Sequence, residues 1–170
     1  MLARHDEATA ERVERPLERA TSDARLATSE MPARVCLAEL RVDLGLARGD
    51  RTTPRLLHDF DSLLATVRAA SAPYVSLANI NLARLQEASG DLVSALRAAR
   101  RHEYHWLPGG TMGLSTFLLR QGQLAARLGD TASALRAYRH YLVLRSNPDP
   151  ELVPQRDSVR GALLRLTEHH

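Results

Sequence analysis

Gly90-Asp91-Leu92-Val93-Ser94-Ala95-Leu96-Arg97-Ala98-Ala99-Arg100 returns 39 residues further on as Gly129-Asp130-Thr131-Ala132-Ser133-Ala134-Leu135-Arg136-Ala137-Tyr138-Arg139. Eight of the eleven positions are identical, among them the block Ser-Ala-Leu-Arg-Ala. A third Gly-Asp pair, Gly49-Asp50, precedes Gly90-Asp91 by 41 residues. Self-similarity at a fixed period of about 20–50 residues marks a stack of small supersecondary units, none of which can bury its apolar face alone.

The segments around these pairs read as helices. Before Gly49, residues Cys36, Leu40, Leu44 and Ala47 recur at spacings of three and four, which defines one helix face over 33–48. Gly49 stops that helix, because glycine enters the left-handed conformation without a Cβ penalty. Asp50 or Thr53 caps the next helix, and Pro54 suits a first turn where no amide partner is needed. Its expected core stripe is Leu56, Phe60, Leu63, Leu64 and Val67.

Beyond the break at Ser71-Ala72-Pro73, helix 74–88 turns Val75, Ala78, Leu82 and Leu85 inward, and 92–102 does the same with Ala95, Leu96 and Ala99. Helix 114–128 carries Phe117, Leu118, Leu124, Ala125 and Leu128. Helix 131–145 carries Ala134, Tyr138, Tyr141 and Leu142. Asn147-Pro148-Asp149-Pro150 ends it, and a last helix over about 152–167 shows Val159, Leu163 and Leu166. Residues 21–31 form a connector ending at Pro32, and 103–113 the longest irregular loop. No stretch alternates apolar and polar residues, so the chain is expected to be all-α.

Composition agrees. Aromatics are 4% of the chain, while Ala, Leu and Arg dominate, a mixture that favours helix over strand. All 23 basic residues are arginine. They are interleaved with acids, as in Glu11-Arg12, Glu14-Arg15 and Glu18-Arg19, the pattern of a solvated helix surface. The one bare basic cluster is Arg97, Arg100 and Arg101. A single cysteine, Cys36, cannot form an internal disulfide and is expected to be a small buried apolar group. No apolar run reaches the ~18 residues of a membrane span, and the amino terminus lacks a signal-peptide core, so a cytoplasmic location is expected.

Helix, Gly-Asp turn and helix, with small residues at set places, resembles the tetratricopeptide repeat. Ala95 and Ala134, four residues after each Asp, match the family's small residue where paired helices touch. Ala83 and Gly122, eight before each Asp, match the small residue of the first helix, and Ala99 and Tyr138 match a second-helix contact. The period exceeds the family's ~34 residues, and Pro54 stands where the first repeat would carry alanine. The run from Leu114 to Pro150 is similar to a terminal repeat in bacterial multidomain proteins that join such repeats to a kinase or transcription-activator domain.

The resemblance implies a short α-solenoid of antiparallel helix pairs, seven to eight helices in a right-handed superhelix, forming a single domain over 1–170. Within it, 1–20 is an incomplete repeat helix and 33–70, 74–103 and 114–145 are repeats. Residues 151–168 are the capping helix. Because Leu2-Ala3-Arg4-His5-Asp6 parallels Leu46-Ala47-Arg48-Gly49-Asp50, the chain is expected to begin inside a repeat and to be part of a longer regulatory protein. The reading frame upstream of Met1 tests this. The face left near 2–20 is expected to dimerise weakly or to meet an upstream helix.

In this family the first helices line a groove that receives a peptide or protein segment. The implied groove residues are Asn81 and Arg84 in the second pair and Arg120 and Gln123 in the third, with Glu39 and Asp43 from the first. Asn81 and Arg120 match two positions of the family's carboxylate clamp. Glu39, Asp43 and Thr116 replace its Lys, Asn and second Lys, and acidic groups repel a terminal carboxylate. A mixed-charge groove is expected instead. The competing reading is a nucleic-acid-binding repeat that uses Arg97, Arg100 and Arg101, with salt-sensitive affinity.

Catalysis finds no support in the sequence. Ser94 and Ser133 lie in helical contexts without a placed base and acid, and Gly109-Gly110 is no phosphate loop. His102, Glu103 and His105 beside Trp106, with His140 as a further ligand, are too few and too dispersed to hold a structural ion. No cofactor, no metal and no enzymatic activity are expected.

Overall fold

A computed structural model describes residues 4–22, 30–66, 73–101 and 113–168. Among them every element is helical and there is no strand: eight α-helices and one 3-10 turn. The helices are α1 (Arg4–Ser22), α2 (Glu30–Arg48), α3 (Thr53–Thr66), α4 (Pro73–Ala88), α5 (Leu92–Ala99), α6 (Leu114–Arg127), α7 (Thr131–Leu144) and α8 (Val153–Glu168). The 3-10 turn, Pro150–Leu152, leads into α8. The chain divides into two compact units, Met1–Asp91 and Leu92–His170. No helix among the described residues is long and apolar enough to cross a membrane.

The three Gly-Asp pairs close their helices in one way. Gly49, Gly90 and Gly129 take φ of 69°, 91° and 75°. The next amide reaches back five residues each time: Asp50 N–H to the Gly45 carbonyl, Asp91 to Gln86 and Asp130 to Ala125, each 2.9 Å. The glycine N–H donates three residues back, to Leu46, Glu87 and Ala126. This paired bonding is the Schellman closure, which satisfies carbonyls that a helix end leaves without partners. Only the left-handed glycine permits it at low cost.

The helices enter differently after these turns. α5 and α7 start at once, at Leu92 and Thr131, whereas α3 waits until Thr53. Two further residues, Arg51 and Thr52, sit in the first turn. The α3 ladder then opens with Leu56 N–H on the Thr52 carbonyl, 3.1 Å. Pro54 thus occupies the second position of α3, where its missing N–H would have had no partner. Counted from the helix start, the position of Ala95 and Ala134 falls in α3 on the half-buried Leu56 and not on Pro54.

In the amino-terminal unit α2 packs against α1, α3 and α4. Its buried residues Ala33, Leu37 and Leu44 fall on one side and Val35 and Val42 on the other, as ~3.6 residues per turn dictate. The single stripe expected from spacing is therefore corrected: only Leu44 of that set is buried, Leu40 is half-buried, and Cys36 and Ala47 are exposed. A helix enclosed on several sides has no single apolar face. α2 also begins at Glu30, so Pro32 lies inside its first turn and does not precede it. Thr53, Leu57, Phe60 and Leu64 of α3 and Ala78, Leu82, Ala83 and Leu85 of α4 complete this core. Leu56 and Leu63 are half-buried, and Val67 lies outside the described residues.

In the carboxyl-terminal unit α6 and α7 meet closely. A Cβ placed on Gly122 would overlap the ring of Tyr138, so only glycine fits beneath that ring. Ala95 and Ala134 are fully buried, as are Leu124 and Ala125. Leu128, expected in the same stripe, is exposed, because it stands at the closing turn beyond the last residue of α6. α5 ends at Ala99, three residues before its expected end. Its last carbonyl accepts from Gln121 Nε2, 2.9 Å, which ties it to α6. Tyr141, 1% exposed, donates its hydroxyl to Gln155 Oε1, 2.8 Å, and fixes α8 on α7. Val159 is the buried residue of α8, while Leu163 and Leu166 are half-buried.

Candidate functional site

α4 packs against α2 and brings two of the expected groove residues, Asn81 and Arg84, beside it. Arg84 NH2 lies 3.2 Å from Asp43 Oδ2 and 3.3 Å from Oδ1, across the two helices. One turn earlier on each helix, Asn81 hydrogen-bonds the Glu39 carboxylate. Glu39, Asp43, Asn81 and Arg84, separated by about forty residues of sequence, form one polar cluster on the α2–α4 pair.

The charges in this cluster are not equivalent. Arg84 is already matched by Asp43, whose side chain is only 18% exposed. Glu39 is the strained member. Burial raises its pKa above the ordinary glutamate value, and the like charge of Asp43 adds to the rise, while the Asn81 bond and Arg84 act the other way. A carboxylate that loses water without gaining a full counter-charge is relieved by an incoming cation or hydrogen-bond donor. The arrangement thus offers an acceptor to a ligand and withholds its arginine, the opposite of an anion clamp.

The other two expected groove residues lie on α6, in the second unit. Arg120 is half-buried and already engaged. Gln123 is exposed. Sequence spacing did not reveal a cleft of about 390 Å³ in the first unit. Leu37 and Ala38 of α2 and Leu56 and Leu63 of α3 provide its apolar wall, with Arg41 and Asp59 among its polar residues. The half-burial of Leu56 and Leu63 was its only signal, and that is visible only after folding.

The basic cluster does not present three available charges. Arg100 NH2 bonds Asp130 Oδ2 at 3.2 Å and Ser133 Oγ at 2.9 Å. Arg101 is engaged, and Arg97 NH2 meets Ser94 Oγ at 3.2 Å. Asp130 also caps α7 by accepting from Ser133 N–H, 3.1 Å. The Ser133 bonds, and then Arg100, hold its carboxyl below the usual aspartate range.

Cys36 is exposed on α2, contrary to the expected burial. Partial desolvation and then Glu39 raise its thiol pKa, which keeps it protonated and poorly nucleophilic. His102, Glu103, His105 and Trp106 lie outside the described residues, and His140 is exposed. Among the described residues no three His, Cys, Asp or Glu side chains gather as a metal site. Compared with protein-family models, curated proteins and solved structures, the chain matches none.

Proposed function

We propose that this chain is a tetratricopeptide-like α-solenoid acting as a non-enzymatic interaction module within a larger regulatory protein, and that its α2–α4 face receives a protein segment. The observation that carries the reading is the juxtaposition of Glu39, Asp43, Asn81 and Arg84 on neighbouring first helices. Three identical Gly-Asp closures support the repeat assignment. Glu39 selects a basic or donor-bearing side chain, and the Arg84–Asp43 pair provides a fixed polar edge beside it. Arg120 and Gln123 of α6 are the corresponding candidates in the second unit. The engagement of Arg100 and Arg101 removes support from a nucleic-acid reading of that cluster.

Selection from a random peptide library, followed by fluorescence anisotropy on the recovered sequences, tests this. Recovered peptides are expected to carry Arg or Lys and to bind E39A and E39Q about tenfold more weakly, since loss of an interface anchor commonly exceeds ~1 kcal/mol. Enrichment of no sequence, or binding indifferent to these substitutions, would remove the proposal.

A further inference from the structure

α1 carries an alternation of charge, Arg12, Glu14, Arg15, Glu18 and Arg19, that by sequence reads as a self-compensated surface. The fold sorts these charges. Glu14 and Glu18, one turn apart, both turn to a single residue of α2, Arg41: Arg41 Nε lies 3.0 Å from Glu14 Oε1, and its NH2 meets Glu18 Oε1. Its single positive charge offsets one of the two carboxylates, which leaves Arg12, Arg15 and Arg19 with one uncompensated negative charge beside them.

Arg12, Arg15 and Arg19 follow at i, i+3 and i+7, the spacing that keeps side chains on one side of a helix. Together with Glu14, Pro16 and Glu18 they line a cleft of about 650 Å³, and Arg48 from the last turn of α2 completes it, so that four guanidinium groups stand against two carboxylates. Arg12 and Arg48 have interactions of their own. Among the described residues neither Arg15 nor Arg19 forms an ion pair, and Arg19 Nε donates only to the Arg15 carbonyl, 3.4 Å.

We infer that this cleft binds a compact oligophosphate, two or three linked phosphate groups, through Arg15 and Arg19. Guanidinium groups match phosphate oxygens with two parallel donors and remain charged at all working pH values. Arg12 to Arg19 spans roughly 10 Å of helix axis, the reach of a short phosphate chain. A nucleic-acid duplex fits less well: it presents phosphates along its whole length, beyond the roughly 10 Å that Arg12 to Arg19 span. Among the described residues no aromatic side chain lines the cleft for base stacking. This site is separate from the α2–α4 polar cluster, so the two proposals fail independently.

Calorimetric titration of the full chain with sodium tripolyphosphate, ATP and a short DNA duplex, at low ionic strength, tests the inference. Tripolyphosphate is expected to give saturable heat at one site per chain. ATP of equal affinity identifies the phosphate chain alone as the ligand, and tighter ATP binding adds nucleoside recognition. R15A/R19A is expected to weaken tripolyphosphate about tenfold, and R15K/R19K by a smaller factor, because lysine keeps charge but loses the paired donors. R55A, an exposed arginine of α3, leaves affinity unchanged, and circular dichroism verifies that each variant retains its helix content. Absence of saturable heat, wild-type affinity in both double variants, or duplex binding tighter than tripolyphosphate and equally sensitive to R55A would overturn it.

Discussion

The α2–α3 and α6–α7 pairs are closed by the same Gly-Asp turn yet fit their helices together differently. In α6–α7 the contact is set by a ring over a bare backbone, Tyr138 on Gly122. In α2–α3 the near group at Gly45 is the hydroxyl of Thr53, at the very start of α3. Phe60 and Tyr138 each lie seven residues after the first residue of their helix, and both are buried. Counted from the Gly-Asp pairs, by contrast, they are out of step by two. The turn is a local device that tolerates insertion, whereas the packing register is counted from the start of the second helix.

The largest expected effect separates the two glycines. Gly122→Ala must displace an aromatic ring held in a core, and it is expected to destabilise by about 2 kcal/mol despite alanine's higher helix propensity. Gly45→Ala meets the Thr53 hydroxyl, which donates to the Asp50 carbonyl at 2.7 Å, and the ~1 kcal/mol propensity gain offsets part of the cost of shifting it, so a smaller loss is expected. Urea unfolding monitored by circular dichroism measures both, and equal losses would break the comparison. Replacing Tyr138 with leucine should remove most of the Gly122→Ala penalty.

Next in size are the turns themselves. Gly49→Ala, Gly90→Ala and Gly129→Ala each force a side chain into the left-handed region, a strain of roughly 1–2 kcal/mol. No added Cβ meets a neighbour at any of the three, so the losses should be alike, whichever unit holds the turn. A turn that tolerated alanine freely would not share the common closure.

The smallest effects have opposite signs in the two units. Asp130 has a lowered pKa, so its contribution is present above the ordinary aspartate value and is lost as pH falls through the folded one. Asp130→Asn should therefore lower the melting temperature at neutral pH, with the gap closing in acid. Glu39 has a raised pKa, so its contribution is present below the ordinary glutamate value and is lost as pH rises through the folded one. Glu39→Gln should raise the melting temperature at neutral pH, and that gap also closes in acid. Thermal scans across pH check both directions.

The candidate site was legible in part. Asn81, Arg84, Glu39 and Asp43 could be nominated together because the resemblance to the tetratricopeptide repeat implies one groove along successive first helices. Their unequal states were not legible: that Arg84 is taken by Asp43 and Glu39 left strained depends on distances between two helices. Cys36 was misplaced for a related reason, since an apolar spacing of three and four names a face without saying which neighbours enclose it. The Arg41–Glu14 and Arg41–Glu18 pairs join residues 27 and 23 apart in sequence, and nothing in the local alternation announces them.

By itself the sequence determined the helices and the turns between them, because glycine φ, proline position and capping are decided within five or six residues of chain. It also determined that Ala95 and Ala134 would be buried, since the repeat equates them. Only the tertiary structure decided that α2 is enclosed on two sides, which carboxylate each arginine meets, and hence which charges are left for a ligand. Coulomb energy and desolvation depend on separations through space, and those separations exist only once the helices have packed.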